Sequence, residues 1–188
     1  MELIRCPWCM GDDEYRRYHD EEWGVPQHDN EKLFEALVLD GAQAGLSWIT
    51  ILRRREDYRK AFDGMKPEII ANYGEKDIER LLNDSSIIRN RRKIESAIEN
   101  ARAYIAMRDQ GHDFSSWLWD WLDGKPVVNH YSSMKEIPSH TPLSTQISKI
   151  LIKRGFTFVG PTIVYAFMQA SGFVNDHLTS CFRHGLVG

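Results

Sequence analysis

The chain predicts an all-α fold, and three observations carry that expectation. Apolar residues return at helical spacing through nearly all of its 188 positions. Sustained alternation of period two is missing, which argues against a sizeable sheet. Turn-forming pairs interrupt the helical segments at intervals without creating a linker, a repeat or a low-complexity tract. With 42% apolar and 27% charged residues, the composition suits one folded unit over residues 1–188 and is too apolar for intrinsic disorder.

Each element has its own signal. Asp29 or Asn30 is placed to cap a helix that buries Leu33, Phe34, Leu37 and Val38. Asp63-Gly64 then breaks the chain, and Ile78, Leu81 and Leu82 mark a shorter helix. The strongest stripe is Ile94, Ala97, Ile98, Ala101, Tyr104 and Ile105. Phe114, Trp117, Leu118, Trp121 and Leu122 predict another helix, closed by Asp123-Gly124-Lys125-Pro126. After Ile137-Pro138, the positions of Leu143, Ile147, Ile150 and Leu151 predict the next one. Gly155 and Gly160 then bracket a short apolar hairpin, and Pro161 suits the first turn of a following helix. Residues 143–171 therefore read as helix, hairpin, helix. A helix opened by glycine offers backbone N–H groups to a phosphate, and Lys153 and Arg154 would add charge beside it. An ordinary interhelical turn has the same pattern.

Charge and cysteine usage narrow the class. There are 24 Lys and Arg against 27 Asp and Glu, a net charge of −3. The basic groups nevertheless cluster at Arg53 to Arg55, at Arg89, Arg91, Arg92 and Lys93, and at Lys149, Lys153 and Arg154. Such clusters are either solvated helix faces or a footprint for nucleic acid. No apolar run approaches a membrane span, the N-terminus lacks a signal-peptide core, and three cysteines do not make a disulfide framework. A cytoplasmic location is expected.

Two groups of residues carry chemistry. Cys6, Cys9 and His19 lie near one end of the chain, and His177, Cys181 and His184 near the other. Cys6 and His19 with His177 and Cys181 would make a tetrahedral zinc site that clips the termini together, the last two sharing one face if that segment is helical. The Cys6-Pro-Trp-Cys9 pair with His177 and Cys181 is a competing set, and three buried thiols without metal a third reading. The second group is aromatic: Trp8, Tyr15, Tyr18, Trp23 and Trp48 gather in the first quarter of the chain with Asp40. Asp40 is either a cap or ion-pair partner, or part of a pocket for a flat polar or cationic ring.

Four stretches together resemble the bacterial type I DNA-3-methyladenine glycosylase family: Tyr18-His-Asp-Glu-Glu-Trp-Gly-Val-Pro26, Gln43-Ala-Gly-Leu-Ser-Trp-Ile-Thr50, Arg154-Gly-Phe-Thr-Phe-Val-Gly160 and Asn175-Asp-His177. The resemblance runs from Cys6 to about Cys181. It implies a helix–hairpin–helix DNA glycosylase fold that excises N3-methyladenine from alkylated double-stranded DNA by base flipping, acting as a monomer. It implies one structural zinc on Cys6, His19, His177 and Cys181, leaving out Cys9. The base pocket falls on Trp8, Tyr15, Tyr18 and Trp48, with Asp40 as the catalytic-site acid. Gly45 and Leu46, in the Gln43-to-Leu46 turn, fall on the loop that enters the base stack. Gly155 to Gly160 fall on the DNA-binding hairpin, beside the charge of Lys153 and Arg154. At the position of Asp40 the better-known members carry glutamate, and aspartate is shorter by roughly 1.5 Å, one carbon–carbon bond. No lysine is an evident Schiff-base nucleophile, so hydrolysis without strand cleavage is expected. Asp176 is a minor candidate for a second acid, or else a helix cap beside His177.

Overall fold

The computed structural model describes residues 3–187. Ten α-helices dominate the described residues, and the only sheet among them is a parallel pair of two-residue strands. In chain order the helices are α1 (Asp13–Glu21), α2 (Asn30–Gln43), α3 (Trp48–Leu52), α4 (Arg55–Ala61) and α5 (Pro67–Ile70). They continue as α6 (Glu75–Leu82), α7 (Arg91–Asp109), α8 (Phe114–Trp119), α9 (Pro142–Lys153) and α10 (Pro161–Ala170). Strand β1 (Val127–Val128) pairs with β2 (Val174–Asn175), Val127 opposite Val174.

Helix α2 is the centre of the molecule. Asp29 caps it by accepting from the Lys32 N–H at 2.9 Å, and residues Leu37 to Ala42 are buried without interruption. A helix buried all round must be surrounded, and α2 packs against α3, α7, α8 and α10. The largest apolar cluster runs from Leu33 to Val174. Asn90, Asp113 and Thr141 cap α7, α8 and α9, and proline opens α9 and α10. Glycine is required where segments touch. Gly172 has φ +71°, and a Cβ there would overlap the Val25 and Pro26 backbone.

Three expectations need correction. The Phe114–Leu122 helix ends at Trp119 and continues as a 3-10 turn over Asp120–Leu122, because Asp123 and Gly124 both take positive φ. His177 and Cys181 are not on a helix. Pairing of β2 with β1 extends the chain after α10, and Cys181 is reached through a turn in which its N–H donates to Leu178 O at 2.7 Å. Asp176 is likewise not a helix cap. Helices α1, α3, α4 and α5 carry no long apolar stripe and have no counterpart in the sequence reading.

Candidate active site and metal centre

The chain ends meet at four buried side chains. One ligand atom from each of Cys6, His19, His177 and Cys181 lies within 4.8 Å of all the others. His19 Nε2 is 3.2 Å from His177 Nδ1, Cys181 Sγ is 3.4 and 3.6 Å from those nitrogens, and Cys6 Sγ is 3.8 Å from His177 Nδ1. A tetrahedron with zinc–sulfur bonds of about 2.3 Å and zinc–nitrogen bonds of about 2.0–2.1 Å has edges of roughly 3.3–3.8 Å. Four of the six edges of the donor set lie within about 0.1 Å of that range.

The remote ring nitrogens are committed as a metal site needs. His19 Nδ1 is 2.7 Å from Asp20 Oδ1, and Asp20 is gripped in turn by Arg5, whose Nη2 donates to Oδ2 at 2.8 Å. His177 Nε2 is 3.1 Å from Trp23 O. Each imidazole thus turns its proton outward and its lone pair toward the cluster. Hydrogen bonds from Cys6, then from His177 and His19, outweigh burial and hold the Cys181 thiol far down. Cys9 stands apart, its Sγ donating to Cys6 O at 3.1 Å. His184 Nε2 is engaged with Asn129 O at 2.8 Å.

Trp8 and Trp23 connect this cluster to a cavity. Trp8 meets His19 edge-on at 5.2 Å, and Trp23 meets His177 at 4.6 Å. Both indoles line a cavity of about 360 Å³ together with Tyr15, Tyr18, Trp48 and Asp40. That volume falls in the range of small-molecule sites. Trp8 packs on Tyr15 at 4.9 Å, and Tyr18 on Trp48 at 5.6 Å, so the walls are aromatic faces and edges. Tyr165 and Gln169 of α10 also line the cavity, and sequence reasoning missed both. The available signal was their separation by one helical turn ahead of Asp176. Asp176 is buried and accepts from Asn129 at 2.7 Å, Tyr165 at 2.6 Å and Gln169 at 2.8 Å. Both its oxygens are occupied, so it sets the pose of two cavity residues.

Asp40 is the exception to this pairing. It sits inside α2, 3% exposed, and its Oδ2 has no hydrogen-bond partner; Trp48 Nε1 is also buried without one. Burial alone pushes the Asp40 carboxyl well above the usual carboxylate range. The cap and ion-pair readings of this residue are thereby removed. Behind it, a second cavity of about 330 Å³ shares Tyr18, Asp40 and Trp48. Four of the charges there pair, Arg55 with Glu22 at 2.9 Å and Arg59 with Glu35 at 2.6 Å, and Glu21 and Lys32 also line it. An unpaired buried acceptor is costly, and its retention points to a ligand that brings a donor.

Two turns flank the cavity helices. The α2–α3 turn carries Gly45 at φ +76° and Leu46, an apolar side chain 39% exposed, closed by Leu46 N–H donating to Gln43 O at 2.7 Å. The α9–α10 turn starts at Gly155, with φ +95°, and ends at Gly160, the residue before α10. Lys153 is exposed there, whereas the Arg154 guanidinium lies over Trp117 at 5.7 Å. Among the other basic clusters, Arg53 pairs with Asp12, Arg54 donates to Ser86 O, and Arg91 pairs with Glu75 and Glu95. Arg53 and Arg91 are therefore ion-paired, whereas Arg89 and Arg92 are exposed. Among the described residues no helix is long and apolar enough to cross a membrane.

Comparison with known proteins identifies the family. Residues 8–184 match the family described as methyladenine glycosylase. The chain is 50% identical over 179 residues to DNA-3-methyladenine glycosylase 1 of Escherichia coli, covering 95% of this chain and 96% of that one. A crystal structure of 3-methyladenine DNA glycosylase I superposes with a TM-score of 0.94 at 51% identity, covering 95% of this chain and 98% of the other. The Staphylococcus aureus enzyme, whose structure addresses 3-methyladenine recognition, superposes with a TM-score of 0.92 at 36% identity over 96% of each chain. The chain belongs to the methyladenine glycosylase family, enzymes that hydrolyse N-glycosyl bonds.

Proposed function

We propose that this chain removes N3-methyladenine from alkylated double-stranded DNA, hydrolysing the N-glycosidic bond of a nucleotide turned out of the helix. The observation that carries the reading is Asp40, a buried carboxyl with an unpartnered oxygen on the wall of an aromatic cavity. The lesion dictates what such a site must do. N3-methyladenine in DNA is a cation that pairs poorly, leaves as a neutral purine and needs little help from an acid. The protein's work is to extrude it and hold it.

The faces of Trp8, Tyr15, Tyr18 and Trp48 favour a cationic ring, by about 0.5–2 kcal/mol each. Asp40 accepts from the exocyclic amine of adenine, at the position where guanine presents a carbonyl. Burial favours the neutral acid in the free protein, and a cationic base brings the charge that restores the carboxylate. Selectivity for a charged lesion follows. The shorter aspartate draws the base closer to α2 or takes a bridging water. Water attacks the anomeric carbon as it gains oxocarbenium character. No lysine is among the residues lining the cavity, which supports hydrolysis without strand cleavage.

Leu46 and Gly45 would occupy the gap left in the base stack. The Gly155-to-Gly160 turn and the start of α10 would take a phosphate, with Lys153 and Arg154 adding charge. Cys6, His19, His177 and Cys181 would hold one zinc, and four protein donors leave no open position, so the ion's contribution is to join the chain ends under Trp8. The enzyme would work as one unit and as a monomer in the cytoplasm, where its three buried cysteines, none in a disulfide, stay reduced.

The test is titration of free 3-methyladenine, a neutral base that reads the Asp40 hydrogen bond without the lesion's charge, followed by quenching of tryptophan fluorescence. Saturable quenching is expected, at least tenfold weaker in Asp40→Asn. Equal affinity in the two proteins would remove Asp40 from recognition.

A further inference from the structure

Helix α7 contributes no residue to the cavity lining or to the metal cluster, yet one of its faces is bonded to both turns assigned above to DNA. Lys93, Ser96 and Asn100 are three and four residues apart and so lie on one side of α7. Lys93 Nζ donates to Ala42 O at 2.8 Å and to Ala44 O at 2.6 Å, gripping the end of α2 where the Gln43-to-Leu46 turn begins. Asn100 exchanges two hydrogen bonds with the Thr157 backbone, at 3.1 and 2.7 Å, and Ser96 adds one to Thr157 O at 3.3 Å. The second turn also packs directly on the last turn of α2, just ahead of the first. A Cβ on Gly41 would stand 3.3 Å from the Phe158 Cβ, and Phe158 itself has φ +52°.

The position of Lys93 is unusual for a basic residue. Its ammonium lies at the C-terminal end of α2, where the helix dipole favours a cation. It is half-buried, and burial draws its pKa below the ordinary lysine value. A phosphate-binding lysine would keep its charge in water. This one spends its charge on two carbonyls that bracket Gln43.

We propose that Lys93 is a positioning residue for base extrusion: it fixes the Gln43-to-Leu46 turn at a set distance from the Gly155-to-Gly160 turn, so that Leu46 enters the stack when the hairpin holds the backbone. The proposal rests on the assignment of these turns to DNA. Lys93 touches no reacting atom. Its loss should harm the DNA step more than base binding, because Gln43 is the one residue of this turn that lines the cavity.

The experiment compares wild type, Lys93→Met and Lys93→Arg by three readouts. Hydrogen exchange at the Ala44 and Leu46 amides, both hydrogen-bonded within the turn, should speed up at least tenfold in the methionine variant. Affinity for free 3-methyladenine should stay within twofold. Excision from methylated duplex should fall at least tenfold in kcat/KM, and the arginine variant should recover to within threefold of wild type. Unchanged exchange in Lys93→Met overturns the proposal, as does duplex excision at the wild-type rate. A proportional loss of base binding and excision also overturns it, since that is general destabilisation. Failure of the wild type to release base refutes the functional reading instead, and exchange alone then decides whether Lys93 holds the turn.

Discussion

Replacing Asp40 by asparagine should stabilise the protein while weakening base binding. The side chains are nearly the same size, so the substitution isolates ionisation. Asp40 is 3% exposed, has no cationic partner, and its carboxyl is pushed well above the ordinary range by burial. The unfolded chain releases this proton near pH 3.9, about the free aspartate value. Below that pH both states are protonated and the carboxyl costs nothing. Above it the unfolded chain ionises first, and folding loses about 1.4 kcal/mol for every pH unit until the folded-state pKa is passed. For a chain of this length each such unit corresponds to about 3–6 °C in Tm. Asparagine carries no such term. Thermal melts of both proteins between pH 4 and pH 8 provide the assay. The other titratable groups lining the second cavity, Tyr18, Glu21, Glu22, Lys32, Glu35, Arg55 and Arg59, are common to both proteins and cancel in the difference. The Tm advantage of Asp40→Asn should be smallest at pH 4, grow with pH, and then level off. A difference that stays flat across this range would refute the reasoning, because it would mean that Asp40 is already ionised and paired in the folded state.

Other perturbations act elsewhere. Stripping zinc with a chelator should lower Tm and reduce 3-methyladenine binding together, because Trp8 packs on His19; Cys181→Ser should reproduce this and Cys9→Ser should not, with metal analysis giving one zinc per chain for the latter. Gly172→Ala should cost about 3 kcal/mol or more, roughly 6–12 °C by thermal melt, since positive φ and collision with the Val25 backbone act together.

The long helices were legible because their signals are local. The α7 stripe and the Asp29 cap need only neighbouring residues, and both stand where spacing puts them. The four-residue spacing of His177 and Cys181 was misleading for the opposite reason. What shapes that segment is the pairing of β2 with β1, a contact forty-seven residues away that no local pattern records. The candidate metal ligands were nameable as residue types, and only the family resemblance set Cys9 aside; the Asp20 acceptor behind His19 is visible only in the fold. Asp40 could be singled out as an acid among aromatics, but its unpartnered oxygen exists only after α2 has been enclosed. Lys93 was indistinguishable from its solvated neighbours until folding turned it toward Ala42 and Ala44.

The most direct test of the account is the spectrum of free bases that the purified, zinc-loaded protein releases from methylated duplex DNA, separated by chromatography. Release should be dominated by 3-methyladenine, with little 7-methylguanine and no strand cleavage. A folded protein that releases no 3-methyladenine, or releases both bases alike, would show that the Asp40 cavity does not read the alkylated adenine.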